Sequence, residues 1–155
     1  MMEMKFFDRH VKQVGFLTWD IEKTTRKWAE FLHTEVPPIH TCDTYEKTKA
    51  EYRGAPCYGR VYQSFFEMDN IQIELIQPMD FETPSYWLEC LKEKGEGLHH
   101  IAYEVKDMKA NIEKFEQQGM VLTQKGEYPG GRYAYLDDLK GTTLILELLE
   151  NDDPA

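Results

Sequence analysis

The sequence predicts an α+β fold in which one module is used twice. Gln13-Val14-Gly15-Phe16, leading to Asp20-Ile21, is echoed by His100-Ile101-Ala102-Tyr103, leading to Asp107-Met108, at a constant offset of 87 residues. Each copy closes on a strand-like run that carries one acid, Ile71-Gln72-Ile73-Glu74-Leu75-Ile76 and Leu144-Ile145-Leu146-Glu147-Leu148-Leu149. If the copies pair as internal repeats usually do, Gln13, Glu74, His100 and Glu147 converge on one point.

The elements follow in order. Val11 to Thr18 alternates as a strand, with Val14, Phe16 and Thr18 on one face and Val11, Gln13, Gly15 and Leu17 on the other. Asp20 is an N-cap for a helix reaching about Leu32, whose apolar stripe is Ile21, Thr24, Trp28, Phe31 and Leu32. Pro37-Pro38 ends that helical stretch, and residues 39–59 are polar and punctuated by Gly54, Pro56 and Gly59, with a strand or irregular loop near Thr48 to Tyr52. Val61 to Glu67 and Ile71 to Gln77 are strands around a turn at Met68-Asp69-Asn70.

A connection with a short helix at Tyr86 to Lys94 then leads through Gly95-Glu96-Gly97 into the second copy. There His99 to Val105 is a strand with His100, Ala102 and Glu104 on one face, so a regular strand turns His99 to the other, as a core-edge residue. Asp107 caps a helix that buries Met108, Ile112 and Phe115 and stops at Gly119. Strands at Tyr133 to Leu136 and Leu144 to Leu149 enclose a hairpin with Gly141. The organisation is one domain over 1–155: a first module at 9–78, a linker at 79–97, a second module at 98–150 and a polar tail at 151–155.

Bulk properties exclude several classes. With 18 Lys+Arg against 28 Asp+Glu the net charge is -10, which disfavours a nonspecific nucleic-acid binder, since such binding rests on phosphate neutralisation. No apolar run has the length of a membrane helix, and the first residues lack the hydrophobic segment of a secretory signal, so a cytoplasmic protein is expected. Cys42, Cys57 and Cys90 are odd in number and fall in no C-x-x-C pattern, which indicates reduced thiols rather than disulfides or a thiolate zinc site.

The chemistry lies in the four converging residues. Glu147 and Glu74 each sit among aliphatic neighbours, where an isolated carboxylate is costly and needs a metal, a hydrogen-bonded partner or a proton held at raised pKa. Taken singly, each acid reads as a surface residue and His100 as a capping one; their repeat-related placement is what joins them. One nitrogen and three oxygens form a donor set suited to a divalent ion of the Zn, Ni, Co, Mn or Fe type. His10, His33 and His40 have no partner spacing, and Trp19, Trp28 and Trp87 read as packing residues.

On these residues the chain resembles the vicinal oxygen chelate superfamily, the glyoxalase, bleomycin-resistance and extradiol-dioxygenase group. The stretch Gly95-Glu96-Gly97-Leu98-His99-His100-Ile101-Ala102 through Asp107 is similar to methylmalonyl-CoA epimerases, supported by Ile73-Glu74-Leu75-Ile76-Gln77-Pro78 and Leu146-Glu147-Leu148-Leu149-Glu150. The resemblance implies two βαβββ modules whose mixed sheets form an open U-shaped cleft, with one divalent metal ion (Zn, Ni, Co or Mn) held by Gln13, Glu74, His100 and Glu147. That ligand order is similar to glyoxalase I (lactoylglutathione lyase) of the eukaryotic type, whereas the linker and the His-His run are closer to the epimerases. Loss of the first histidine argues against an extradiol dioxygenase.

Either assignment implies a metal-stabilised enediolate formed by proton transfer alpha to a carbonyl, with Glu147 and Glu74 as acid/base residues and a hemithioacetal or acyl-CoA type of small-molecule substrate. For the phosphates of a CoA ester the sequence offers scattered Lys106, Lys125 and Arg132. The loop Tyr128-Pro129-Gly130-Gly131-Arg132-Tyr133 departs from the epimerase pattern and reads as a mobile lid, with Arg132 reaching a substrate carboxylate and Tyr133 beside it. The resemblance also implies a homodimer, with the site within one chain or across two. The alternative function is a metal-free small-molecule (antibiotic or drug) binding protein of the bleomycin-resistance type, to which the 13% aromatic content is suited.

Overall fold

The computed structural model describes residues 9–138 and 145–154. In chain order the elements are β1 (Val11–Leu17), α1 (Ile21–Leu32), β2 (His40–Thr41), the single turn α2 (Tyr45–Thr48), β3 (Glu51–Tyr52), β4 (Ala55–Pro56), β5 (Val61–Glu67), β6 (Gln72–Pro78), α3 (Tyr86–Lys94), β7 (Gly97–Glu104), α4 (Met108–Gln117), β8 (Val121–Tyr128), β9 (Gly131–Asp137) and β10 (Ile145–Asn151). The strands form one mixed sheet in the order β2-β5-β6-β1-β7-β10-β9-β8-β3-β4, curled into a half-barrel. The duplication is plain in the pairing. β6 lies parallel to β1 and β10 lies parallel to β7, while β1 and β7 run antiparallel at the seam between the copies.

Helices α1 and α4 cover the outside of the sheet because each carries one apolar stripe. Asp20 caps α1 by accepting from the Lys23 amide at 3.1 Å, and Asp107 does the same for α4 at the Ala110 amide, also 3.1 Å. Helix α1 buries Ile21, Thr25 and Ala29 at helical spacing and packs on Phe66, Ile73 and Leu75. Helix α4 lays Met108, Ile112 and Phe115 on Leu136, Leu146 and Leu148. Among the described residues helix α3 has no counterpart in the other half; Tyr86, Trp87, Cys90 and Leu91 join Leu17, Val61, Ile76 and Tyr135 in a third cluster.

Several expectations are corrected here. Phe31 is 75% exposed: the buried stripe of α1 runs one position over, through Thr25, whose hydroxyl meets that of Ser64 at 2.8 Å. Within the polar stretch 39–59, where a strand or irregular loop is expected near Thr48 to Tyr52, a short strand forms at Glu51–Tyr52. After β2 pairs with β5, the chain reaches the far half of the sheet, where β3 pairs with β8 and turns into β4 through Arg53 and Gly54, both at positive φ, the conformation a two-residue hairpin needs. Strand β8 has no counterpart in the sequence reading, because Val121-Leu122-Thr123-Gln124-Lys125-Gly126-Glu127-Tyr128 has few apolar residues and a bulge between Leu122 and Gln124 breaks its alternation.

The expected mobile lid is a tight β8–β9 hairpin, with Tyr128 paired to Gly131 across Pro129 and Gly130. Asn151, placed in the tail by the sequence, closes β10 and accepts a hydrogen bond from the Tyr128 hydroxyl at 2.8 Å. Leu144 and the hairpin at Gly141 lie outside the described residues. Among those described, no helix is long and apolar enough to cross a membrane.

The fully buried Leu148 and the exposed Phe31 give a direct contrast. Leu148→Ala is expected to lower unfolding free energy by about 2–5 kcal/mol, and Phe31→Ala to leave it within about 0.5 kcal/mol, as read from urea melts.

Candidate active site at the seam

The seam sets the site by placing small residues between long ones. On one row across the sheet, Glu74 of β6 is the partner of Gly15 of β1, which is the partner of His100 of β7. On the neighbouring row, Gln13 of β1 is the partner of Ala102 of β7, which is the partner of Glu147 of β10. Gly15 and Ala102 leave the space above the seam to their flanking side chains. A Cβ on Gly15 would lie 2.1 Å from His100 Cε1, so the imidazole occupies the place a side chain there would take.

All four predicted residues meet within one chain and are buried, with Gln13 7%, Glu74 4%, His100 1% and Glu147 4% exposed. His100 Nε2 is the centre of the group. It lies 2.8 Å from Gln13 Oε1, 2.9 Å from Glu147 Oε2 and 3.5 Å from Glu74 Oε1. One N–H can serve one of these oxygens well, and it serves Gln13; Glu147 Oε2 is close but off the hydrogen-bonding direction and has no hydrogen-bond partner. Gln63 holds the other side of Glu74, donating to Oε2 at 2.8 Å, and Gln13 donates to Gln72 Oε1 at 2.6 Å. Gln63 and Gln72 were not singled out in the sequence; their strand parity, shared with Phe65 and Glu74, is the signal that places them on this face.

The electrostatics follow from burial. Burial pushes the Glu74 carboxyl up to about 7, with the Glu147 charge adding to the rise and His100 and the Gln63 hydrogen bond opposing it. Burial also disfavours the charged His100 ring, but Glu147 and then Glu74 more than offset this, and its pKa is raised. The Glu74 carboxyl and the His100 imidazole therefore titrate as a linked pair.

His99 departs most from expectation. A register shift between Gly15 and Phe16 on β1, which are paired with His100 and Leu98, leaves His99 as the extra residue of a bulge. Both imidazoles are thereby buried on one side, with Nδ1 to Nδ1 3.0 Å apart.

The group opens into a cleft of about 620 Å³ walled by Phe65, Trp87, Tyr133 and Tyr135. Trp87 donates its indole N–H to the Tyr135 hydroxyl at 3.0 Å and so lines the cleft as well as packing the core. Of the proposed substrate residues, Tyr133 is in this wall and Arg132 is not. Successive residues of β9 alternate faces, so Arg132 points to the outer side and is held by Glu150 at 2.9 Å and Asp152 at 2.5 Å. Lys106 and Lys125 are likewise outside the cleft and paired with Asp153 and Glu51. Arg60 is the sole Lys or Arg among the described lining residues, and its Nε and Nη2 are engaged by the Cys42 carbonyl at 3.2 and 2.7 Å.

The four side chains offer the donors of a cation site. Among the described residues, no set of three or more His, Cys, Asp or Glu stands at the spacing of a formed metal centre, because these side chains touch one another directly. The donor chemistry nevertheless fits: three oxygens converge on one nitrogen, and the buried Glu147 Oε2 is left without a hydrogen bond.

Comparison with known proteins gives the family and the fold. Residues 12–135 match the family model of the Glyoxalase/Bleomycin resistance protein/Dioxygenase superfamily. The uncharacterized protein YqjC of Bacillus subtilis (strain 168) is 26% identical over 94 residues, which are 59% of this chain and 66% of that protein, just under two thirds of its length. Among solved structures, a hypothetical protein of Bacillus halodurans C-125 superposes with a TM-score of 0.65 at 21% identity, covering 94% of this chain and 96% of the other. Methylmalonyl-CoA epimerase from Mycobacterium tuberculosis gives 0.63 at 19% identity, covering 99% and 94%. The Streptomyces coelicolor methylmalonyl-CoA epimerase, in complex with 2-nitronate-propionyl-CoA, gives 0.61 at 18%, covering 93% and 98%. At these identities the structural likeness establishes the fold.

Two outcomes follow. Gly15→Ala forces the His100 ring aside and should shift its ring resonances while the far-ultraviolet circular dichroism stays native; an unchanged His100 resonance in the variant would refute the packing argument. Glu74 has a folded pKa above its unfolded value of 4.5, so the native state binds the extra proton and Glu74 lowers stability as pH rises from 4.5 to about 7. In metal-free protein, Glu74→Gln should therefore gain stability relative to wild type across that window and hold a constant lead above it, as measured by urea melts at a series of pH values.

Proposed function

The chain belongs to the Glyoxalase/Bleomycin resistance protein/Dioxygenase superfamily, and from that premise we propose that it is a metal-dependent enzyme moving a proton alpha to a carbonyl, of the epimerase or lyase kind. The observation that carries this reading is the pair of buried acids, Glu74 and Glu147, facing one imidazole nitrogen from strands on either side of the seam. Gln13, Glu74, His100 and Glu147 would hold one divalent ion, of the Zn, Ni, Co or Mn type. That ion would supply a Lewis-acidic charge beside the substrate carbonyl.

The chain's own residues do the rest. Glu147, with one oxygen free of hydrogen bonds, accepts the proton from the carbon next to the carbonyl. Glu74 stands on the other flank with its affinity for a proton raised toward neutrality, which suits it to return the proton there. Gln63 steadies the Glu74 carboxyl, and the aromatic wall keeps water from the reacting carbon. Two acids on opposite flanks of one centre fit an epimerisation or a 1,2-proton shift.

The substrate is a small thioester or hemithioacetal. Methylmalonyl-CoA epimerases among the structural neighbours favour an acyl thioester, but a nucleotide's phosphates would find Arg60 alone as a cation in this cleft. Compact acyl thioesters and hemithioacetals are thus the first compounds to screen. A second reading, a metal-free small-molecule binding protein, is favoured by the direct hydrogen bond between His100 and Gln13 and by the aromatic wall.

Metal analysis followed by proton exchange separates the two. Wild-type protein is expected to hold about one equivalent of a divalent ion, lost in His100→Ala, and to exchange the alpha proton of a bound thioester or hemithioacetal in D2O. Glu147→Gln should slow that exchange by about 10²–10⁴-fold. Absence of metal after reconstitution with Zn, Ni, Co and Mn, together with tight binding of an unreacted ligand, would favour the second reading.

A further inference from the structure

His99 has no part in the group of four, yet it is as deeply buried, at 3% exposure, and its Nδ1 lies 3.0 Å from Nδ1 of His100. Two imidazole nitrogens at that distance share one proton, so one ring donates and the other accepts. Which ring donates is decided at the opposite nitrogen of His99. Its Nε2 is buried without a polar partner, and the groups around this ring are the aromatic rings of Tyr86, at 5.6 Å, and Tyr135, at 5.0 Å and 83°. A bare lone pair is repelled by aromatic π faces, whereas an N–H is attracted to them. With the proton of His99 on Nε2, its Nδ1 is bare and accepts.

We infer that His99 is the positioning residue of the site: its Nδ1 accepts the Nδ1–H of His100, which fixes the ring and reserves the His100 Nε2 for Gln13, Glu74 and Glu147. Fixing the proton on Nδ1 is also what a histidine needs in order to offer Nε2 to a cation, and this part of the inference rests on the function proposed above. The β7 bulge makes the contact possible, because a regular strand would turn the two rings to opposite faces. Tyr135 belongs to the same arrangement. Its ring stands against both histidines, 5.0 Å from His99 and 5.3 Å from His100, and its hydroxyl is held by Trp87.

Two measurements test this. In metal-free wild-type protein labelled with ¹⁵N-histidine, long-range ¹H–¹⁵N correlation near neutral pH should show His99 neutral with its proton on Nε2, and His100 carrying a proton on Nδ1 beside the one that Nε2 donates to Gln13; a proton on Nδ1 of His99 overturns the inference. Zinc titration by calorimetry should show His99→Phe weakened by about 10–100-fold and His99→Asn, whose amide oxygen can take the place of Nδ1, restored to within a few-fold of wild type. Equal weakening in both variants, or in neither, would reduce His99 to a packing residue. If wild type binds none of Zn, Ni, Co and Mn, the function proposed above falls, while the protonation of the two histidines in the metal-free protein still decides the role of His99.

Discussion

The antiparallel contact between β1 and β7 is the constraint on which the molecule depends. Each copy of the repeat ends up with a parallel strand pair, and neither pair alone holds more than half of the polar group. Only the register that sets Gly15 beside His100 and Ala102 beside Gln13 brings the halves of the group together. A shift of one residue would turn Gln13 to the helix side, where Val14 and Phe16 pack under α1. The same contact thus decides both the core and the chemistry.

That arrangement explains why buried charge is tolerated at the centre of a sheet. Removing Glu74 and Glu147 from water is unfavourable, and it is offset by their mutual contact with one imidazole and by the amide of Gln63. The offset is incomplete: Glu147 keeps an oxygen without a hydrogen bond. A site that satisfied every atom would be a structural crevice, and one that still has a buried acceptor to fill is suited to a ligand.

Much of this was legible from the chain because period-two alternation survives in β1, β6 and β10, and because the repeat supplied the pairing partners. Gln13, Glu74, His100 and Glu147 were found together for that reason. Strand parity misplaces His99 because a bulge cannot be seen in a single strand; it exists only relative to the partner, here at the step from Gly15 to Phe16. Strand β8 was missed for a related cause, since Thr123, Gln124, Lys125 and Glu127 give it the composition of a loop and it is made a strand by β9 and β3 on its two sides. Arg132 was placed in the cleft on chemical grounds alone. Strand parity puts it outside, where two acids already hold it.

The short strands β2 and β4 stand at the two ends of the sheet, each two residues long, and β4 ends in Pro56. A sheet of ten strands would ordinarily present two long unpaired borders onto which another chain could add. The two end strands themselves present only a few backbone groups, and β4 lacks a donor where the proline stands. Addition of a further strand onto β2 or β4 would thus gain little, since neither end strand offers a long row of backbone partners.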